Sequence, residues 1–259
     1  MKFFVKPPLD LYVAGDSTYW GKYKTYSEYN YFGGPRLAAY LRIIRFDVAL
    51  KLTRNYFHRC NVIDFGCADG VFLPSLCKYF NHVAGIDSSR KFMGVSQKVI
   101  EALGVDNVQL ICNDNLTIDG IKAKLSGRQY QIMYLLGVME HVGNKSAMYD
   151  SKLSFLKEIA TLIERDGLIV ILVPKMVGLT FLLQRVGLAL FGLHREPLSM
   201  KNLLKLSFLR DSTEAEKLWD GGHLGFNQDI FKNHLRKDFN ILKERDLIFQ
   251  VMYVVSPRV

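Results

Sequence analysis

The chain has 259 residues, of which 49% are hydrophobic and 23% are charged. This length suits one good-sized domain or one domain with a smaller attachment, and the hydrophobic content excludes an intrinsically disordered chain. The formal net charge of +9 would attract an acidic substrate, nucleic acid or an anionic membrane surface, although a solvated basic helix face is the simpler explanation.

The cysteines form no CxxC pair, and no histidine lies at zinc-finger spacing, so no metal site is expected. Three of the four cysteines lie in apolar surroundings, which is typical of buried thiols in a reducing compartment. The N-terminal sequence MKFFVKPPLD lacks the apolar core of a signal peptide. We therefore expect a cytoplasmic protein.

An aromatic-rich segment over residues 1–34 precedes Pro35, after which apolar residues recur at helical spacing. Strands and helices then alternate, and two strands at hairpin spacing close the chain. Helices are predicted around 70–80, 89–103 and 147–164, and Gly167 is expected to cap the last of them in a left-handed conformation. The predicted strands cover 61–65, 82–87, 107–112, 130–137, 167–173, 239–245 and 249–256.

This order predicts an α/β, Rossmann-like fold with a mostly parallel seven-stranded sheet, an antiparallel C-terminal hairpin and helices on both faces. We expect an N-terminal lid and helix over residues 1–57 and a main domain over 58–259. An insertion at about 175–230, after the fifth strand, is expected to form a second lid.

The candidate ligand site is the turn in VIDFGCADGVF, residues 62–72. Gly66 and Gly70 allow the backbone to turn sharply and to approach a ligand closely. Because Ala68 stands where the GxGxxG fingerprint has its middle glycine, a pyrophosphate cradle is disfavoured. The acidic residues here, Asp64 among them, would repel a phosphate and attract an ammonium group.

The next two strands also lead into acidic residues. Asp87, about twenty residues further on, can accept hydrogen bonds from both hydroxyls of a ribose, which fits NAD and S-adenosylmethionine equally. Asp114 can accept a hydrogen bond from an adenine amino group. Together these features describe an adenosine ligand with a cationic tail and no phosphates. Each residue alone has a simpler explanation, such as a helix N-cap at Asp87.

Taken in order, these segments resemble the motifs of class I S-adenosylmethionine-dependent methyltransferases. VIDFGCADG is similar to the glycine-rich (D/E)xGxGxG motif, and VAGIDSS, YQIMYLLGVMEHV and ERDGLIVILVP are similar to the family's segments at strands two, four and five. The resemblance covers roughly residues 58–175. Two positions depart from it: Ala68 replaces the middle glycine, and Gln131 stands where the family commonly has Asp.

The resemblance implies S-adenosylmethionine as the cofactor and assigns four groups of residues to it. The methionine tail would be lined by Gly66, Cys67, Ala68 and Gly70, and Asp64 would belong to the same cofactor site. The ribose would be held by Asp87 with Ser88 beside it, adenine would be flanked by Asp114 and Asn115, and Leu136 and Gly137 would lie against the cofactor.

Methyl transfer chiefly requires a positioned donor and acceptor, so no catalytic triad is expected. Glu140 and His141, just after strand four, are candidate bases for an acceptor that must lose a proton. His223, in a string similar to the his-x-gly-phe string of some small-molecule and glycan-directed members, is a third. The alternatives are a loop cap or cofactor-stacking role for His141 and a helix-entry turn, capped by Asn227, around His223.

Residues 176–193 are almost long enough to span a bilayer, but Gln184 and Arg185 at their centre make a span costly. We predict an amphipathic helix that serves as a lid over the substrate cleft, lies on a membrane surface or forms a dimer contact.

The sequence therefore predicts a methyltransferase that acts, at oxygen, on a small-molecule or glycan/lipid-linked acceptor. A nucleic-acid or protein methyltransferase is the first alternative, which the net charge supports. The second is a non-catalytic cofactor-binding or membrane-docking protein, since a fold alone does not fix a function.

Overall fold

A computed structural model describes residues 2–13, 19, 22–33, 36–190 and 198–258. Within these residues, seven strands form one mixed sheet in the order β3-β2-β1-β4-β5-β7-β6. Strands β1 to β4 pair in parallel, and β6 and β7 pair antiparallel. The strands are β1 Asn61–Phe65, β2 His82–Asp87, β3 Val108–Cys112, β4 Ile132–Leu136, β5 Leu168–Pro174, β6 Phe239–Asp246 and β7 Gln250–Pro257. All seven were predicted.

Helices alternate with the first five strands, and further helices lie in the described part of the segment between β5 and β6. Short π-helical turns cover Glu28–Phe32 and Lys205–Leu209, and 3₁₀ turns cover Arg54–Tyr56 and Lys145–Ala147. The α-helices are α1 Asp10–Val13, α2 Arg36–Thr53, α3 Leu73–Tyr79, α4 Arg90–Leu103, α5 Ile118–Lys124, α6 Met148–Ala160, α7 Leu179–Leu190, α8 Met200–Leu204, α9 Thr213–Glu216 and α10 Gln228–Asp238.

The chain divides into two compact units. The first unit comprises Met1–Leu135 with Thr161–Val170, and the second comprises Leu136–Ala160 with Ile171–Val259. The division of function between residues 1–57 and 58–259, and the limits of the insertion, stay predictions.

The core of the first unit includes aromatic residues from well outside the strands. Phe46 of α2 stacks on Phe72 with the ring centroids 4.7 Å apart, and Phe72 makes an edge contact with Tyr134 of β4. The Tyr134 hydroxyl lies 2.7 Å from the hydroxyl of Thr53, also on α2. Phe4, in the aromatic-rich N-terminal segment, stacks on Phe46. This segment therefore contributes to the hydrophobic core of its unit.

The segment between β3 and β4 contains a helix, α5, that we did not predict. Its sequence, IDGIKAK, has a weak apolar pattern and an internal glycine, Gly120. Helix formation is supported locally by Thr117, whose side chain caps the first turn by accepting a hydrogen bond from the Gly120 amide.

The predicted left-handed cap at Gly167 is wrong. Helix α6 ends at Ala160, and Gly167 is not among the residues with positive φ. Glycine is required here for space, because a Cβ atom would lie 2.8 Å from the Glu164 carbonyl oxygen and 3.0 Å from that of Gln131. The residue lets the chain pass close to the backbone beside β4.

All four cysteines are free thiols, but Cys60 and Cys67 are buried while Cys77 and Cys112 are only partly so.

The apolar stretch over 176–193 forms helix α7, as predicted. Residues 191–193 of this stretch lie outside the described part of the chain. No helix among the described residues is long and apolar enough to cross a membrane. The lid, membrane-surface and dimer roles of α7 stay predictions.

Gly167→Ala should lower the free energy of unfolding by about 2 kcal/mol, because two of the three close contacts are with backbone atoms that cannot move aside. Urea denaturation measures this loss. Gly94→Ala is the matched control: Gly94 lies within α4, a Cβ there meets nothing within 4 Å, and alanine should add about 0.5–1 kcal/mol of stability. Equal effects of the two substitutions would contradict the steric explanation.

Candidate active site

The turn after β1 alternates between ordinary and left-handed backbone. Gly66, Ala68 and Gly70 have φ values of 79°, 49° and 80°. The amides of Gly66 and Cys67 both donate to the Ile86 carbonyl oxygen of β2, at 2.7 and 3.1 Å. Left-handed backbone costs an alanine roughly 1 kcal/mol, so Ala68 occupies a position that favours glycine.

Asp87 ties this turn to the end of β2. Its Oδ2 accepts a hydrogen bond from the Ala68 amide at 2.9 Å, and its Oδ1 accepts one from the Ser89 amide at 2.8 Å. Ser89, whose side chain accepts from the Phe92 amide, is the N-cap of α4. The simpler explanation of Asp87 as a helix cap is therefore wrong.

The Asp87 carboxylate retains acceptor capacity for a ligand. A carboxylate offers about four lone-pair sites, and the two backbone amides occupy two of them. Asp87 is half-buried, and this burial raises the pKa of its carboxyl group. The remaining acceptor sites are of the kind that a pair of neighbouring hydroxyls requires.

Two further acidic side chains are buried here, Asp64 just before the turn and Asp69 within it. Asp64, in β1, is 4% exposed, and burial together with the charge of Asp87 raises its pKa to about 7, although Arg45 opposes this shift. Asp69 is fully buried, and burial raises its pKa to about 6. Its carboxylate accepts hydrogen bonds from both the amide and the hydroxyl of Ser27. The turn is thus acidic and is held by the N-terminal segment, a contact that we did not predict.

Of the other predicted cofactor residues of the first unit, three are exposed and Cys67 is buried. Ser88 and Asn115 are exposed, and Asn115 has a left-handed backbone with φ 61°. Asp114 is exposed and forms an ion pair with Arg90 of α4 at 3.1 Å. The Cys67 thiol is buried, and its sulfur lies 3.9 Å from the sulfur of Met93.

In the second unit, Leu136 is buried at the end of β4, and Gly137 follows it in a left-handed conformation with φ 87°. The Gly137 amide donates to the Leu172 carbonyl oxygen of β5 at 3.1 Å. This hydrogen bond fixes the start of the loop that carries Glu140 and His141.

The three predicted catalytic residues converge in the second unit. The Nε2 atoms of His223 and His141 lie 3.6 and 4.0 Å from Oε1 of Glu140, and the two imidazole centroids are 5.0 Å apart. The Glu140 side chain is 4% exposed, whereas those of His141 and His223 are 47% and 42% exposed. We call these three residues the Glu-His-His cluster. Its arrangement suits proton transfer, and its three side chains could also bind a metal ion.

Two buried residues that we did not predict hold the cluster together. Trp219 Nε1 lies 3.2 Å from the Glu140 carbonyl oxygen and 2.9 Å from that of Gly222, so it bridges the two loops that carry the cluster. The ammonium group of Lys152 donates to the carbonyl oxygens of Glu140 and Val142. Burial lowers the pKa of Lys152 to about 8.

A signal for Lys152 was present in the sequence. Met148, Lys152, Leu156 and Ile159 follow the spacing of one helical face, and all four are buried in α6. A lysine on an apolar face requires a hydrogen-bonding partner, although its position in the sequence does not identify that partner.

The mixed sheet, its antiparallel terminal hairpin and the acidic turn after β1 together define a class I methyltransferase fold. A family model described as a methyltransferase domain matches residues 36–206. Because this match covers more than half of the chain, the chain belongs to the methyltransferase-domain family.

Two relatives show the range of acceptors among similar sequences. The human EEF1A lysine methyltransferase 2 is 26% identical over 175 residues, which are 65% of this chain and 69% of that protein. A probable (S)-tetrahydroprotoberberine N-methyltransferase 2 from Papaver bracteatum is 30% identical over 110 residues, 42% of this chain and 27% of that protein.

Solved structures of low identity have the same fold. NodS, an N-methyltransferase from Bradyrhizobium japonicum WM9 in complex with S-adenosyl-L-homocysteine, is 9% identical with a TM-score of 0.52, over 83% of this chain and 87% of its own. Magnesium protoporphyrin IX methyltransferase from Synechocystis PCC 6803 is 16% identical with a TM-score of 0.55, over 87% and 90%. The predicted fold and the assignment to S-adenosylmethionine-dependent methyltransferases are confirmed.

Replacing Asp64 with asparagine should change the pH dependence of stability. Because the pKa of Asp64 is raised from 3.8 to about 7 in the folded state, protonation of Asp64 stabilises the fold below pH 3.8, and this contribution is lost as the pH rises to about 7. Asparagine cannot ionise. Relative to the unmodified chain, Asp64→Asn should therefore gain about 1.4 kcal/mol per pH unit across this window.

Urea denaturation of both proteins across this pH range measures the difference. Asp119→Asn, at an aspartate whose side chain is 94% exposed on α5, is the control. A difference between Asp64→Asn and the unmodified chain that does not vary with pH would show that Asp64 is not the group responsible.

Proposed function

We propose that this methyltransferase transfers the methyl group of S-adenosylmethionine to an oxygen atom of a small-molecule or glycan/lipid-linked acceptor. The observation that carries the proposal is the Glu-His-His cluster, in which two half-exposed imidazoles lie within 4.0 Å of one buried carboxylate oxygen. Such a cluster can take up the proton that a hydroxyl group must lose when it is methylated.

The cofactor is proposed to lie against the acidic turn of the first unit. Asp87 would accept hydrogen bonds from the ribose hydroxyls with its two remaining lone-pair sites, and the turn from Gly66 to Gly70 would lie beside the methionine tail. The buried carboxylates of Asp64 and Asp69 at this turn favour a cationic ligand over a phosphate-bearing one. When bound, S-adenosylmethionine supplies a methyl group on a positively charged sulfur, which keeps the electron pair of the broken carbon–sulfur bond.

The acceptor is proposed to meet the exposed sides of His141 and His223. One imidazole would take the hydroxyl proton while the acceptor oxygen forms its bond to the methyl carbon. Glu140, buried beside both rings, would offset the positive charge that the protonated imidazole gains. Lys152 and Trp219 would act as positioning residues, since they hold the main chain of the cluster and not its side chains.

A second candidate function is methylation of a protein lysine. It is supported by the similarity to human EEF1A lysine methyltransferase 2 and to its mouse counterpart, which is 30% identical over 130 residues. A lysine ammonium group must also lose a proton before it can attack, so the Glu-His-His cluster suits this reaction too.

Cofactor binding is tested by thermal unfolding with S-adenosylmethionine, S-adenosylhomocysteine and NAD in parallel. At 100 times the dissociation constant, a bound ligand should add about 2.7 kcal/mol, which raises the unfolding temperature of a chain of this size by roughly 5–10 °C. We expect a rise with the two sulfur compounds alone, and its loss in Asp87→Ala but not in the exposed control Asp119→Ala. A rise with NAD alone, or an unchanged rise in Asp87→Ala, would contradict the proposed cofactor site.

The acceptor class is tested by S-adenosylhomocysteine release with hydroxyl-bearing small molecules, glycans and a protein substrate such as EEF1A. His141→Gln and His223→Gln should each lower kcat by about 10²–10⁴ while leaving the affinity for S-adenosylmethionine unchanged. His234→Gln is the control, because His234 also lies beside a carboxylate, that of Asp150, at 3.5 Å. Full activity in both cluster variants would overturn the role of the cluster, and turnover with the protein substrate alone would favour the second candidate function.

A further inference from the structure

We propose that the Glu-His-His cluster binds one divalent transition-metal ion, for which Zn²⁺ is the best match, with a coordination position open to the acceptor oxygen. This inference rests on the proposed function, because it assigns an ion to the same cluster that would face the acceptor. Spacing along the chain gave no reason to expect a metal, since His223 is 82 positions away from His141.

The three ligand atoms are close enough to share an ion after small side-chain movements. One oxygen of Glu140 and one ring nitrogen each of His141 and His223 lie within 4.8 Å of one another. Tetrahedral zinc, with bonds of about 2.0–2.1 Å, separates its ligand atoms by about 3.3 Å. The distances from Glu140 Oε1 to Nε2 of His223 and of His141, 3.6 and 4.0 Å, are already close to this value.

His141 is held in the tautomer that a metal ligand requires. Its Nδ1 lies 2.6 Å from the Gly221 carbonyl oxygen. Because a carbonyl oxygen only accepts, Nδ1 carries the hydrogen, and the neutral ring then presents the lone pair of Nε2 toward Glu140. Metal-bound histidines characteristically donate their second ring N–H to a carbonyl or carboxylate in this way.

The backbone around the cluster is fixed before any ion binds. Gly221 has a left-handed backbone with φ 92°, a conformation that glycine adopts without strain. Trp219, 3% exposed, bridges the carbonyl oxygens of Glu140 and Gly222. The two segments that supply the ligands are therefore joined by a buried side chain, which limits the rearrangement needed to bind an ion.

The exposure of the cluster favours an open site over a purely structural one. Structural zinc sites have four protein ligands, whereas catalytic sites have three and leave one position to water or substrate. Two imidazoles and one carboxylate make such a set of three, and the two imidazoles are 42–47% exposed. An acceptor hydroxyl in the open position would have a lowered pKa. With the ion bound, the Nε2 lone pairs of both imidazoles would be used as ligands, so the hydroxyl proton would pass to water and not to an imidazole as the oxygen–carbon bond forms.

Metal binding is tested on the full chain, stripped with a chelator and titrated with Zn²⁺ alone by isothermal titration calorimetry. We expect one ion per chain, and a rise in the dissociation constant of about 100-fold or more in Glu140→Gln, His141→Gln and His223→Gln. His234→Gln, which changes a histidine paired with a single carboxylate, should bind as the unmodified chain does. No binding, or binding equal in all four variants, would overturn the proposal.

Substitution of Co²⁺ provides a second measurement that needs no variant. Coordination by two imidazoles and a carboxylate should give visible d–d bands without thiolate-to-cobalt charge transfer in the near ultraviolet. Strong charge transfer would show that a cysteine holds the ion and would overturn the proposal even if a cluster variant failed to fold.

The test of the metal site can succeed or fail independently of the test of the proposed function. The titrations contain no S-adenosylmethionine, and the thermal shift with S-adenosylmethionine is measured in chelator. If cofactor binding and methyl transfer persist in chelator and no Zn²⁺ binds, the proposed metal site is refuted and the acid–base role of the cluster stands. If one Zn²⁺ binds per chain but no methyl transfer occurs, the proposed acceptor chemistry is refuted and the metal site stands.

Discussion

The two hydrogen bonds that Asp87 accepts are the constraint on which the cofactor half of the fold depends. One carboxylate satisfies the amide of Ala68 in the turn after β1 and the amide of Ser89 at the start of α4. The end of β2, the turn and the helix are thereby fixed to one another. Because the carboxylate still has acceptor sites to offer, the same side chain can organise the backbone and bind a ligand. Substitution of Asp87 therefore affects local structure as well as binding.

Most of the sheet could be predicted because its strands are short apolar runs between clear turn signals, as in VIDFG and GLIVILVP. The errors lie where local signals are weak or ambiguous. Helix α5 has an internal glycine, Gly120, that obscured it. Gly167 follows a predicted helix, as a cap would, yet it is glycine because the backbone at Gln131 passes too close for a side chain. Sequence position alone does not distinguish a conformational from a steric need for glycine.

In the candidate site, too, some features could be predicted from the sequence and others could not. Asp87, Glu140, His141 and His223 could each be selected from their motifs, but their partners could not. The Ser27–Asp69 contact joins residues 42 positions apart, and no pattern around Ser27 indicates a buried carboxylate. The convergence of His223 with Glu140 follows from the path of a loop between α9 and α10, which apolar periodicity does not determine. Motifs identify the chemical groups, and the tertiary fold determines which of them act together.

Lys152 makes the loops around the cluster accessible to chemical labelling. Its amine is fully buried and donates to two carbonyl oxygens of the loop after β4. An amine-modifying reagent can reach it only when α6 and that loop separate, so exposed lysines react first. When reclosing is faster than modification, the rate at which Lys152 reacts is proportional to the population of the open form. That rate therefore reports the local unfolding free energy of the segment that carries Glu140 and His141, without a spectroscopic probe.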